Sequence, residues 1–374
     1  MSKPNLFKQR TTSITGQNVP LNKGHFSMDT EERINDFGNK LASGWEAEYE
    51  EYRRLWIELP RLKKIRDYPL LVDLELVSVC NLKCPMCPTI TEAFQSRARK
   101  GKGLMDFELV KKILDEIAGK VFALRLSFVG ESTLHKKLID CVSYAREKGI
   151  REISFLTNGS KLELPYFERL VEAGIDWITI SIDGTGETYN KIRKPITFDQ
   201  ILKVLQDIHD YKMAKGLKKP VIKIQGVWPA IRENPSEYYS TLAPLVDLVA
   251  YNPLIDYLRH DSNDEVVYED NFSCPQYYQR IVIGSDGNAI MCSNDDEGDI
   301  IIGNAYEQTI HEIWHSEKLN ELRNIHSEEC GFLNIKPCKQ CYYPRKTVVD
   351  ETAMVNDRLI YIENYVNRNQ TIGE

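Results

Sequence analysis

Residues 75–90 read ELVSVCNLKCPMCPTI, and they set Cys80, Cys84 and Cys87 directly behind an apolar, β-branched run. Three residues separate the first two thiols and two separate the second pair. Pro85 and Pro88 hold so short a loop extended, so it reads as a ligating loop and not as a spaced core pattern. Zinc prefers a closed tetrahedral set, and a structural zinc loop offers four donors. No fourth cysteine or histidine stands nearby. A four-iron cube held by three thiolates keeps one iron open, and that iron can take a small molecule as its last ligand.

Outward from this loop, between residues 70 and 254, strand and helix patterns alternate. LLVDLELVSV, FALRLSFVG, REISFLTNG, WITISIDG, VIKIQGV and DLVAY read as strands. DFELVKKILDEIAGK, KKLIDCVSYAREKG and TFDQILKVLQDIHDYKMAKG read as helices between them. Six such βα units predict a parallel sheet that curls, either as an incomplete barrel or as a doubly wound sheet. In either case chemistry belongs at the C-terminal strand ends, which is where the three-cysteine loop sits.

The 374-residue chain is 42% hydrophobic and 28% charged, with a net charge of -7. No basic stripe dominates, so nucleic acid is not an expected partner; RARKGKG (97–103) reads as a solvated loop. The first twenty residues lack an apolar signal core. Nowhere do apolar residues run for the roughly 18 needed to span a bilayer. The expectation is a cytoplasmic protein without a membrane partner. Nine cysteines in a reducing compartment then point to metal sooner than to disulfides. Residues 1–69 read as a polar arm followed by one or two amphipathic helices.

The spacing of Cys80, Cys84 and Cys87 resembles that of the radical S-adenosylmethionine (radical SAM) enzymes, and the flanking strand-end motifs match in order and position. The resemblance implies that the open iron is chelated by the amino and carboxylate groups of S-adenosylmethionine. One electron from the reduced cube, supplied by a donor such as flavodoxin or ferredoxin, would then cleave the sulfonium. The resulting 5′-deoxyadenosyl radical would take a hydrogen atom from substrate. By the same resemblance Gly130 and Glu131 of SFVGEST meet the methionine amino group. Asn158 of LTNG contacts the ribose or the methionine part, although Asn-Gly is also a common turn pair. Ser181 of SIDG faces the site, and Arg193 of YNKIRKP pairs with the methionine carboxylate or else joins a surface ion pair. Met86 departs from the pattern, since many relatives carry an aromatic residue before the third cysteine.

Cys274 and Cys292, with seventeen residues between them, and the Cys338/Cys341 pair form a second complete set of four thiolates, for a cube or for zinc. Their arrangement, around RIVIGSDGNAIMC, which reads as a hairpin, resembles the SPASM or twitch domain that follows the barrel in many radical SAM enzymes. The expected fold is therefore α/β: a partial (β/α)6 TIM-like barrel over 70–255 with a helical N-terminal extension. A small SPASM/twitch domain with one auxiliary 4Fe–4S cluster follows over 256–345, and a helical tail without chemistry over 346–374. Cys330 is left over, as an alternative ligand, a hydrogen-atom donor to a substrate radical, or a small hydrophobe. Cys141 lies at helical spacing with Leu138, Val142 and Ala145 and belongs to a core. HEIWH (311–315) matches a zinc-protease signature, but Ile310, Ile313 and Trp314 make a packing stripe of that helix. The expected activity is abstraction of hydrogen from a small polyol or sugar-like substrate, ending in dehydrogenation or epimerisation. A maturase of ribosomal precursor peptides is the alternative within the family, and zinc proteolysis a remote one outside it.

Overall fold

The computed structural model describes residues 10–23, 26–100, 103–262 and 265–373, and within the N-terminal arm it has short strands. Strands β1 (Arg10–Thr12) and β2 (Asn18–Pro20) pair antiparallel, and β3 (Phe26–Ser27) reaches an edge of the main sheet. Residues 1–9 of the expected arm lie outside the described residues. Helices α1 (Glu31–Ala42) and α2 (Glu46–Leu62) follow. Thr30 caps α1 by accepting from the Arg33 backbone N–H. The two helices pack across the N-terminal ends of the strands. Phe37 meets Trp177 edge-on at 5.4 Å and Tyr52 stacks on Phe122 at 5.3 Å.

The βα units then run β4 (Leu71–Leu74), α3 (Glu92–Lys100), α4 (Phe107–Ile117), β5 (Ala123–Arg125), α5 (Leu138–Glu147) and β6 (Glu152–Thr157). They continue as α6 (Leu164–Ala173), β7 (Trp177–Ser181), α7 (Gly186–Ile192), α8 (Phe198–Lys215), β8 (Val221–Val227) and β9 (Leu248–Asn252). Strands β4 to β9 are parallel neighbours in that order. Their pleat separates two faces. Ile153, Phe155, Ile178, Ile180 and Ile224 are 0% exposed. Intervening positions such as Ser154, Thr179, Lys223 and Gln225 border the lumen. One expectation is corrected here. The stretch 97–100 is the last part of α3 and not loop, while 101–102 lie outside the described residues.

The sheet does not stop at β4. Strand β10 (Arg280–Ile283) pairs parallel to it, and β11 (Asn288–Ile290) and β12 (Ile301–Asn304) extend it antiparallel. The order is β12-β11-β10-β4-β5-β6-β7-β8-β9-β3, ten strands in one sheet. The expected hairpin is β10–β11, turned at Gly287, whose φ of +80° suits glycine.

Over the described residues 346–373 of the expected 346–374 tail, no helix forms. They contain an antiparallel hairpin, β13 (Thr347–Val355) with β14 (Arg358–Tyr365). Asn356 and Asp357 join the strands with φ of 46° and 60°. Two successive left-handed residues make the tight turn whose twist matches paired strands. Trp228 Nε1 donates to Glu351 Oε2 at 2.6 Å, which ties the hairpin to the end of β8. Among the described residues no helix is long and apolar enough to cross a membrane.

Candidate active site

The chain leaves β4 at its C-terminal end and enters the three-cysteine loop. That loop is held from below by a close approach of backbone. A Cβ on Gly130 would stand 2.1 Å from the Val77 carbonyl oxygen and 2.8 Å from that of Val79, so only glycine fits. Glu131 N–H donates to the Val79 carbonyl at 2.9 Å. The sulfurs are also placed: Leu82 N–H donates to Cys80 Sγ at 3.4 Å and Thr89 Oγ1 to Cys87 Sγ at 3.2 Å. Leu82, Cys84, Met86, Ile192, Ala230 and Leu254 form a small apolar cluster around the loop, with Ile372 of the C-terminal segment against it.

A cavity of about 280 Å³ opens above the strand ends, and Cys80, Cys84, Cys87, Gly130, Glu131, Asn158, Ser181 and Arg193 all line it. The fold thus brings together every residue named for the first cluster and its cofactor. Glu131, Arg193 and Asn158 are already engaged. Glu131 Oε1 accepts from Thr133 N–H, Thr133 Oγ1 and Thr157 Oγ1, and its Oε2 accepts from Asn158 N–H at 2.7 Å. This 2% exposed carboxylate is a brace between two strand-end loops as well as a wall of the cavity. Arg193 is no surface ion pair. Its Nε and Nη2 grip Asp183 Oδ2 at 2.7 and 2.5 Å, while Asp183 Oδ1 accepts from Val227 N–H. Burial works against the Arg193 charge, but Asp183 and the Cys84 side chain hold its pKa above the ordinary value. Asn158 makes the turn through Ser160 N–H and also points Nδ2 at Asn81 Oδ1 (2.9 Å) and Cys80 Sγ (3.8 Å).

Cys274, Cys292, Cys338 and Cys341 line a second pocket together. Burial, and then the neighbouring thiols, push the pKa of Cys292 and Cys338 well up, while that of Cys341 is pushed to about 11 by burial. Four such thiols fit an iron–sulfur cluster, whose positive irons supply the charge that stabilises thiolates. Among the described residues no three His, Cys, Asp or Glu side chains converge as they would around one ion. A cube takes each sulfur at a separate corner. His326 carried no signal in the sequence beyond being a histidine, and it belongs here. It is 2% exposed, its Nε2 lies 3.4 Å from Cys338 Sγ, and its ring packs on Tyr277 at 4.8 Å.

The two sites touch the same space. Ser293, directly after Cys292, and Asp296 line the first cavity. Tyr257 lines it too; burial raises its pKa first, followed by the charges of Asp296, Cys87 and Cys341. Cys330, by contrast, is exposed and lines neither cavity. It is not placed to return a hydrogen atom to anything held there, which corrects that expectation. Cys141 is 0% exposed within α5, as its spacing implied. In HEIWH, Glu312 completes a capping box with Thr309, and the helix Ile310–Trp314 ends before His315. Ile310, Ile313 and Trp314 are at most 1% exposed and dock the helix, with Glu116 accepting from the Ile310 and His311 N–H groups.

A model of the radical SAM superfamily matches residues 74–220, and one of SPASM, an iron–sulfur cluster-binding domain, matches 274–342. Fe-coproporphyrin III synthase of Methanosarcina barkeri is 30% identical over 145 residues, 38% of this chain and 35% of that protein. The chain therefore matches only about a third of that relative's length. The S-adenosyl-L-methionine-dependent 2-deoxy-scyllo-inosamine dehydrogenase of Niallia circulans is 25% identical over 264 residues, 69% of this chain and 87% of that one. The crystal structure of BtrN in complex with AdoMet and 2-DOIA superposes with a TM-score of 0.53 at 20% identity, covering 79% of this chain and 100% of the other. At that identity the likeness is one of fold.

Proposed function

Because the chain belongs to the radical SAM superfamily and carries a SPASM iron–sulfur domain, we propose that it dehydrogenates a small polyol or sugar-like substrate. The two domains imply a 4Fe–4S cluster at the first site, S-adenosylmethionine, and an auxiliary cluster. When bound and reduced, the first cluster supplies the electron that splits S-adenosylmethionine into methionine and the radical that takes a substrate hydrogen atom. Cys80, Cys84 and Cys87 are the ligands there, and Cys274, Cys292, Cys338 and Cys341 those of the auxiliary cluster.

The observation that carries this reading is the shared cavity, with the three cysteines on one wall and the loop following Cys292 on another. Converting an alcohol to a ketone removes a hydrogen atom, one electron and one proton. The hydrogen atom would be taken beside Cys80–Cys87, and the Cys292 loop on the same cavity would hold the group that accepts the electron. Two carboxylates line the wall; Glu131 already accepts four hydrogen bonds, so Asp296, hydrogen-bonded from Arg259 at 2.8 Å, is the one assigned the proton. Ser181, Asn158 and the Gly130 backbone give polar contacts on the side of the strand ends. Arg193, fixed by Asp183, offers a guanidinium shaped for a carboxylate such as that of methionine. Epimerisation needs a thiol to quench the substrate radical. Among the described residues every thiol that lines the cavity belongs to the ligand set. The 25%-identical dehydrogenase, aligned over most of both chains, supports the oxidative outcome.

The test is anaerobic reconstitution, reduction and addition of S-adenosylmethionine, with 5′-deoxyadenosine as the readout. Changing Cys80, Cys84 and Cys87 together to Ala should abolish it while about four irons remain bound. Cleavage by the triple variant, or none by the native protein, defeats the reading.

A further inference from the structure

The lumen of a βα barrel is ordinarily filled by branched apolar side chains. Here it is polar and cationic. In the half of the barrel nearer α1 and α2 a cavity of about 180 Å³ has Arg53, Arg125, Lys223 and Arg280 on its wall. Among the described residues, two carboxylates answer three of these cations. Asp73, 0% exposed, pairs with Arg125 at 2.7 Å and Arg280 at 3.4 Å. Glu152 shares the wall with Arg53 and feels its charge.

Lys223 has no such answer. It is 6% exposed, and its Nζ donates to Gln225 Oε1 at 2.7 Å. Among the described residues no carboxylate forms an ion pair with it, and burial is the one influence on its pKa, lowering it to about 8. An ammonium buried without a counter-charge is costly, and such groups are kept where a ligand completes them. The bond to Gln225 points the ammonium one pleat towards the C-terminal strand ends. Leu156 lines both this cavity and the one at the three cysteines, so the two spaces adjoin.

We propose that this cavity binds an anionic group of the substrate, a phosphate or a carboxylate, with Lys223 as its anchor. The rest of the substrate then runs up the lumen towards Cys80–Cys87, an orientation that rests on the enzymatic reading above. The chemistry asked for is a small polar molecule with one anionic end and an oxidisable carbon at the other.

Isothermal titration of the reconstituted holoprotein with inorganic phosphate, and separately with malonate, tests this at constant ionic strength set by sodium chloride. Saturable binding is expected for one of the two anions. Lys223→Met should weaken it at least tenfold, Lys223→Arg should keep it within a few fold, and Lys203→Met, at a solvated side chain 75% exposed, should leave it unchanged. Binding that is absent for both anions, or equally tight in Lys223→Met, overturns the proposal. Should Lys223→Met not fold, Lys223→Gln takes its place in the same comparison. 5′-Deoxyadenosine is assayed on the same samples. Cleavage without anion binding overturns the anchor alone, and Lys223-dependent anion binding without cleavage overturns the enzymatic reading while keeping the site.

Discussion

Lys223 also sets how stability responds to pH. Burial lowers its pKa from 10.5 to about 8 in the folded protein. Below pH 8 both folded and unfolded chains carry the proton, and the folded one bears the whole penalty of a buried charge. Between about pH 8 and 10.5 the unfolded chain holds more protons, so stability rises with pH, and above that window the gain is complete. The full effect is on the order of 3 kcal/mol. Chemical denaturation of the protein against Lys223→Met, in the absence of added anions, should show the variant's advantage shrinking by that order from pH 7.5 to 10.5. Two curves that stay parallel across the window would mean that Lys223 is not buried as a charge. Glu131 teaches a related point. Its place at a strand end was legible, but the four hydrogen bonds it accepts come from residues up to twenty-seven positions away, and no local pattern encodes them.

At the scale of elements, the loop after β4 and the loop after β5 are locked face to face by Gly130. Gly130→Ala puts a methyl group 2.1 Å from the Val77 carbonyl oxygen, so one of the two backbones must move. The expected result is loss of the first cluster, with bound iron falling by about half, and 5′-deoxyadenosine formation down by about a hundredfold or more. The auxiliary cluster and the far-ultraviolet circular dichroism should survive. Full iron with normal cleavage would show that the loop tolerates the shift. The hairpin β13–β14 was the element most misread. TVVDETAMV and RLIYIENY carry the β-branched residues of strands, and Asn356-Asp357 is a left-handed turn pair. Their weak alternation of buried and exposed positions hid them.

Over the whole molecule, the C-terminal segment returns to the first site. Ile372 packs on the apolar cluster around the three-cysteine loop. Arg368 anchors the return: Nε donates to the Leu254 carbonyl at 3.0 Å and Nη1 to Asp261 Oδ1 at 2.6 Å. Asp256 and Asp261 share Arg345 as a second cation. Arg368→Ala takes one of two cations from the buried Asp256 and the partly buried Asp261, at a cost of about 3 kcal/mol. The expected signature is faster hydrogen exchange over 366–373 together with faster bleaching of the first cluster in air. Exchange that speeds up without any change in bleaching would show that the segment does not shield the cluster.

By itself the sequence determined the two groups of cysteines that the fold gathers, the alternation of strands and helices, and the hairpin at Asp286-Gly287. Each of these depends on residue types at short spacing, and ligation demands particular side chains whatever the surroundings. Only the tertiary structure decided that Arg193 is held by Asp183, that His326 sits on Cys338, that Cys330 faces solvent, and that Lys223 stands in the lumen without a counter-charge. Those facts are burial and distance between residues remote in the chain, and packing creates them where no local signal exists.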